Sequence, residues 1–472
     1  MNYSPYLLLL ACVGMFLSCQ PDSTGGGTTQ IQSGDMAFVH VNVVPMNQER
    51  ILRDQTVVIK HGKIHQIGDA NSIQLSRETV LIDGTDQYLS PGLSEMHAHI
   101  PVPRQGDDTV RIMSSPLFLY LANGITIIRG MLGHPYHLDL KELVMNGEIP
   151  GPRIYTSGTS INGNTAPDPE TAAQLVRDQQ ATGYDFLKLH PGLTTETFDA
   201  IVRTAKEVGI PYAGHVSNLV RIEHALANDY ASIDHIDGFL EGLVPESAGV
   251  DHTKNGFFGF NFVELAEPAG IDALAQSAAE NEIAIVPTQS VIIRWTSAKS
   301  PEDMAAEPEM KYIHPRLLAS WQERKHGLQG LEDYSPARAE KFENLRAQII
   351  KALHDAGTLM LLGSDSPQVF NVPGFSIHHE IQLLATAGLS NFEAMQTGTV
   401  NPAKYFGEEG EYGVVAEGAS ADLVLLKGNP LEDLTHLEHP NGVMYRGNWL
   451  SRPEIEKGLQ ELADHYASLA SN

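Results

Sequence analysis

The sequence predicts an α/β protein: a (β/α)8 barrel of the TIM type with a small discontinuous β-sandwich domain built from both ends of the chain. Three observations predict it. Short apolar runs alternate with amphipathic helical stretches through the middle of the chain, which is the pattern of a parallel sheet. There are eight such runs, the number that favours a closed barrel over an open sheet. Strand-like alternation flanks this region on both sides, as expected if the two ends pair in one extra domain. The length of 472 residues suits one large domain plus a smaller one.

The first stretch reads as a targeting segment rather than as fold. Leu7 to Leu17 is an apolar run too short to span a bilayer. It ends in Phe16-Leu17-Ser18-Cys19, which resembles a bacterial lipobox, although no Lys or Arg precedes it and Phe16 replaces the usual Leu. Gln20 to Thr29 is polar and Gly-rich, the composition of a flexible tether. The expected divisions are a signal peptide over 1–18, a tether over 19–34 and the first part of the β-sandwich over 35–88. The barrel follows over 89–405, the second part of the sandwich over 406–452 and a C-terminal helix over 453–472. An exported protein follows, as a periplasmic or outer-membrane lipoprotein of a bacterium that meets the membrane only through a lipid on Cys19. Secretion without a lipid is the alternative.

Composition narrows the chemistry. The only cysteines are Cys12 and Cys19, so a domain processed at Cys19 has no thiol for a disulfide, a thiolate metal site or a Cys nucleophile. The formal net charge of −27 argues against nucleic acid and anionic membrane surfaces as partners. A small-molecule partner and self-association both stay open.

In the flanking domain, Met36 to Val44 and Thr56 to Ile67 alternate or run apolar, with His61-Gly62-Lys63 as a turn. Val80 to Gly84, Ala421 to Leu426 and Gly442 to Gly447 repeat the texture. The eight barrel runs are Leu93–Met96, Gly124–Ile128, Arg153–Thr156, Phe186–Leu189, Pro211–Ala213, Ser232–Ile233, Ile283–Val286 and Leu359–Leu362. Helical stretches such as Glu196–Val208, Asp272–Glu280, Ala337–Ala356 and Phe392–Thr399 separate several of them. The connection from 290 to 338 is oversized and follows the seventh run, where it is either a lid or decoration.

Chemistry-bearing residues gather at the ends of these runs. His97 and His99 stand two apart on one strand face, so both imidazoles can address one point. Lys188, His215, His235 and Asp365 end later runs. A barrel brings all its strand ends to one mouth. Four His and one Asp suit a divalent metal, zinc first and manganese second. A Lys within an apolar strand needs a partner, and an amine carboxylated by CO2 would turn it into an anionic bridge. No Gly-rich phosphate loop or nucleophile elbow is present. His378, His379 and Glu380 do not form a zincin motif, because Leu383 stands where the second His belongs.

The order HxH, Lys, His, His, Asp resembles the amidohydrolase superfamily. The resemblance extends over nearly the whole chain after Met36, including Tyr88-Leu89-Ser90-Pro91-Gly92-Leu93, Asn401-Pro402-Ala403-Lys404 and Val415 to Val424. Gly124 to Arg129, Asp185-Phe186-Leu187-Lys188 and His378-His379-Glu380-Ile381 resemble the imidazolonepropionase-related group that includes metal-dependent Xaa-Pro dipeptidases. Glu95 and Ser94 depart from the usual Asp and Ile or Val, and Arg129-Gly130 departs from a usual Arg-Asp. The resemblance implies two metal ions held by His97, His99, His215, His235 and Asp365, with carboxylated Lys188 and a hydroxide bridging them. It implies that Asp365 moves the proton during amide hydrolysis, most simply of an Xaa-Pro dipeptide. Arg129, His134 and His190 are the expected substrate contacts. The competing readings are a hydrolase of a cyclic amide, lactone or phosphoester, and a non-catalytic binding lipoprotein.

Overall fold

The computed structural model describes residues 35–102 and 109–470, with 15 strands. The expected signal peptide, lipobox and tether lie outside the described residues. Five strands come first: β1 (Met36–Val43), β2 (Leu52–Lys60), β3 (Lys63–Asp69), β4 (Val80–Asp83) and β5 (Tyr88–Pro91). β2 and β3 form a hairpin across His61 and Gly62, both with left-handed φ (50° and 75°). That backbone matches the twist of a two-residue hairpin loop. β13 (Leu423–Leu426), β14 (Gly442–Tyr445) and β15 (Asn448–Ser451) return from the far end of the chain. The hydrogen-bonded order is β15-β14-β13-β5-β1-β2-β3, with β4 on β1, so both ends share one mixed sheet. Its core joins Phe38, Val57 and Ile64 to Leu423, Leu425 and Met444.

The middle begins with β6 (Leu93–Ala98), β7 (Ile125–Gly130) and β8 (Arg153–Thr156), a parallel sheet. A second parallel sheet holds β9 (Leu187–Leu189), β10 (Tyr212–Gly214), β11 (Ser232–Asp234) and β12 (Ala284–Val286). Parallel bridges Ser157–Phe186 and Ile161–Leu189 join the two. Seven of the eight apolar runs thus coincide with strands.

The eighth run departs from expectation. Residues 359–366 form no regular strand, yet they bond to both neighbours. Leu361 N donates to Ile285 O, Met96 N to Leu362 O and Asp365 N to His97 O. Two features break the ladder. A Cβ on Gly363 would lie 2.5 Å from Val286 Cγ1 and 2.9 Å from His97 N, so this pairing is too close for any other residue. Asp365 then takes a left-handed φ of 62°, which turns its side chain away from strand geometry. Eight parallel segments follow one another in hydrogen-bond contact, and the eighth returns to the first.

Helices pack against these strands. The helix Thr195–Val208 is capped by Thr194, buries Phe198, Ile201 and Ala205, and stops at left-handed Gly209. Leu187 and Leu189 share that hydrophobic core, which turns Lys188, between them, to the opposite face. The oversized connection folds as helices Gln289–Thr296, Pro301–Ala305 and Pro315–Gln329. Its Met304, Met310 and Trp321 share a core with Leu462 of the C-terminal helix Arg452–Ala470. Among the described residues, no helix is long and apolar enough to cross a membrane.

Candidate functional site

Strand ends set the site. His97 and His99 leave β6 with ring centroids 5.3 Å apart. His235, just past β11, stands 4.5 Å from His97 and 4.5 Å from His215, which follows β10. Asp365 closes the group: Oδ1 is 2.6 Å from His99 Nε2 and 3.6 Å from His97 Nε2, and Oδ2 is 3.9 Å from His235 Nδ1. Nitrogen or oxygen atoms of His97, His235 and Asp365 all lie within 4.8 Å of one another, a spacing that one metal ion can span. His190 joins the group through His215, with rings 4.7 Å apart.

Lys188 lies fully buried beneath these imidazoles, with Nζ 3.6 Å from Asp234 Oδ2. Asp234 is the hub below the site. Its Oδ1 accepts hydrogen bonds from Arg129 Nη2 (3.0 Å) and Ser232 Oγ (2.9 Å). Its Oδ2 is 2.9 Å from His97 Nδ1 but out of line for a hydrogen bond. Lys188 Nζ, His97 Nδ1, His99 Nδ1, His190 Nδ1 and Asp234 Oδ2 are all buried without a hydrogen-bond partner. Buried polar atoms are nearly always paired, so this many unpaired donors and acceptors in one cluster mark a place built to hold a further group. The donor set of imidazoles and carboxylate fits a divalent metal.

The electrostatics agree with that fit. Burial, followed by the Lys188 charge and the other imidazoles, holds His97 and His215 well below the usual His range. His235 is held down by burial, then by His215, His97 and Lys188. All three are therefore neutral, the form that ligates a metal. Burial also lowers Lys188, against the opposing pull of Asp234 and Asp365. Burial would raise Asp234, but the Arg129 guanidinium and Lys188 outweigh it and keep the carboxylate ionised.

Arg129 lies apart from the mouth. Expected at the substrate, it is fully buried under Asp234 and every arm of its guanidinium is occupied. Nε donates to Met96 O, Nη1 to Ser232 Oγ and Tyr405 Oη, and Nη2 to Asp234. An arginine inside an apolar strand has to be paired internally, and here that partner is Asp234. His134 caps the helix Pro135–Met145, accepts a hydrogen bond from Tyr136 N and stacks on the Tyr136 ring. Its described contacts are with Tyr136 and His137, not with the six candidate ligands.

A match to the amidohydrolase family covers residues 88–450. The chain belongs to the amidohydrolase family. Among curated proteins, imidazolonepropionase of Idiomarina loihiensis is 20% identical over 429 residues, 84% of this chain and 92% of that protein. Adenine deaminase of Methanococcoides burtonii is 24% identical over 233 residues, 45% of this chain, and the match spans only 38% of the deaminase. Among solved structures, the bottromycin amidohydrolase is similar with a TM-score of 0.70 at 22% identity, covering 91% of this chain and 90% of that one. A prolidase in complex with N-methylphosphonate-L-proline has a TM-score of 0.65 at 20% identity, covering 89% and 100%. At these identities the structural likeness is one of fold.

Several residues that shape this amidohydrolase site escape sequence reasoning. His215 Nδ1 donates to Asp237 Oδ2 at 2.9 Å, and His235 Nδ1 is hydrogen-bonded to Thr288 Oγ1 at 2.7 Å. Each bond fixes a ring and leaves its second nitrogen for the site, the usual support for a metal-binding imidazole. Thr288 holds a left-handed φ of 46°. The next two backbone N–H groups, Gln289 and Ser290, donate to Glu380, which secures that turn. Glu95 accepts from the backbone N–H groups of His97 and Ser364 and is bonded to the Ser364 hydroxyl, which ties β6 to the eighth segment. Burial pushes Glu95 up to about 8. Glu95 and Glu380 stand out in the sequence only as parts of motifs, and Asp234 only as an acid in an apolar run beside a candidate ligand.

Proposed function

We propose that this amidohydrolase is an exported, lipid-anchored, binuclear metal-dependent enzyme that hydrolyses the amide bond of an Xaa-Pro dipeptide. The observation that carries the reading is the convergence of His97, His99, His215, His235 and Asp365 over Lys188, with buried nitrogens of His97, His99 and Lys188 left without a hydrogen-bond partner. In this reading the eight parallel segments are a closed (β/α)8 barrel. The terminal sheet folds over into a small sandwich, for which the Phe38–Trp449 ring contact of 5.4 Å across its width is support. The Xaa-Pro assignment is supported by the similarity to a prolidase solved with N-methylphosphonate-L-proline.

His97, His99 and Asp365 would hold one ion, and His215 and His235 the other. Lys188 would join them once its amine is carboxylated by CO2. Its lowered pKa supports this, because only the unprotonated amine adds CO2. When bound, a metal pair polarises the scissile carbonyl and brings the pKa of a water towards neutrality. Asp365 takes the proton of the attacking water at a carboxylate oxygen and returns it to the leaving nitrogen. Asp237 and Thr288 keep the two imidazoles aligned, and the Arg129–Asp234 pair keeps a compensated charge under Lys188. A second reading, opening of a cyclic amide, is favoured by the imidazolonepropionase similarity over most of both chains.

The test is amino-acid release from a dipeptide panel by the full-length protein loaded with zinc or manganese in bicarbonate. Selective cleavage of Xaa-Pro members is expected. Metal-loaded protein that leaves every Xaa-Pro member intact would overturn the dipeptidase assignment, and cleavage of cyclic amides instead would establish the second reading.

A further inference from the structure

The loop after β11 presses an aromatic ring against the candidate ligands. Gly256, Phe258 and Gly259 all take left-handed φ values of 74°, 50° and 85°. A Cβ at Gly256 would lie 2.5 Å from the Asn261 side chain, and one at Gly259 would lie 2.9 Å from Leu240. The two glycines thus let the chain double back, and Phe258 between them accepts a backbone that phenylalanine rarely adopts. The result is a ring 5.0 Å from His235 and 5.9 Å from His215, nearly parallel to the latter. Phe257 turns the other way. It stands edge-on to Phe258 at 4.7 Å and contacts Trp295, in the first helix of the oversized connection, at 4.3 Å. Two separate loops therefore build one aromatic surface beside the centre.

The simpler explanation is that Phe258 only buttresses the imidazoles. Two observations argue against it. Both rings are already oriented through Nδ1, by Asp237 and Thr288. Phe260 and Phe262 of the same loop are buried in the core, whereas Phe257, Phe258 and Trp295 all keep exposed surface. His99 and His215 remain 12% and 11% exposed, so the centre itself is reached from solvent.

We propose that Phe257, Phe258 and Trp295 form an apolar subsite for a large, preferably aromatic, side chain on the acyl side of the substrate. The scissile carbonyl has to lie at the candidate ligands, and the Phe258 ring stands 5.0 Å from His235, so a side chain borne beside that carbonyl comes within its reach; the acyl side is the one the probes below carry. Aromatic pairs prefer offset or edge-on contact, and the perpendicular Phe257–Phe258 corner offers both. The proposal rests on the metal-centre reading above.

The test compares phenylalanine hydroxamate with glycine hydroxamate on the full-length, zinc-loaded protein by titration calorimetry. Both probes carry the same metal-binding head, and only one carries a ring. Wild type should bind the phenylalanine compound at least about tenfold more tightly, the scale of one buried aromatic side chain. Phe258→Ala should bring the ratio close to one and Phe258→Leu should keep part of it. Trp295 fluorescence should respond to the phenylalanine compound alone, and Trp295→Phe should abolish that response. Should Phe258→Ala not fold, Trp295→Ala carries the same comparison. Equal affinities in wild type, or a ratio unchanged in the variants, would overturn the subsite and leave the metal centre standing. Binding of neither probe would overturn the metal centre and the subsite with it.

Discussion

Replacing Arg129 by Met separates a structural arginine from a substrate-binding one. Its side chain makes four hydrogen bonds of 2.7–3.0 Å, one of them to the buried carboxylate of Asp234. In the metal-free protein, where Lys188 carries a free amine, loss of the guanidinium leaves Asp234 in the interior with Lys188 Nζ, 3.6 Å away, as its remaining cation. Breaking a buried pair from one side costs about 3–5 kcal/mol, and the apolar methionine offsets only part of the lost bonding. With an unfolding entropy of about 2.1 cal/mol/K per residue, a unit of roughly 440 residues loses on the order of 1 °C per kcal/mol. The melting temperature should therefore fall by about 3–5 °C in scanning calorimetry. Pairing Arg129→Met with Asp234→Asn should recover more than half of the loss, because the stranded charge is gone. An unchanged melting temperature together with a raised KM would refute this reasoning and return Arg129 to the substrate.

Three further perturbations follow from the same contacts. Thr288→Val removes the hydroxyl from His235 Nδ1 and should weaken metal affinity about 10–100-fold in a chelator competition, with the melting temperature of the metal-free protein little changed. Gly363→Ala sets a methyl 2.9 Å from the backbone nitrogen of His97, which has no flexible end to give way; about 1–3 kcal/mol of stability and most of the metal affinity should be lost together. Burial would raise Glu309, but its bond to His379, its backbone bond and the nearby Arg294 charge hold it at about 2, below the ordinary 4.5. Its stabilising effect is complete above pH 4.5 and fades as pH falls towards 2, so Glu309→Gln should flatten the acid limb of the melting profile in that window.

Sequence pattern carried the parts of this protein that depend on neighbours in the chain. The HxH pair, the His61-Gly62 hairpin and seven apolar runs are local signals, and the structure has strands and a turn there. The eighth run loses its ladder through a backbone contact between Gly363 and His97 that no local pattern encodes. The burial of Arg129 is hidden from the sequence for the same reason. Its exposure depends on Asp234 and Tyr405, 105 and 276 residues away. Thr288 and Asp237 have no distinguishing sequence of their own, because their role is set by which ring they touch. The apolar wall needed both: the glycines around Phe258 are visible in the sequence, but its meeting with Trp295 is not.

If the clustered side chains hold metal for hydrolysis, the metal content of the protein has to depend on them. Elemental mass spectrometry of the full-length protein reconstituted with zinc and freed of excess should give about two ions per chain. His97→Ala, His235→Ala and Asp365→Ala should each lower that figure, with peptide hydrolysis falling in step. A wild-type protein that retains no divalent metal after reconstitution, or a content unmoved by all three substitutions, would contradict the account.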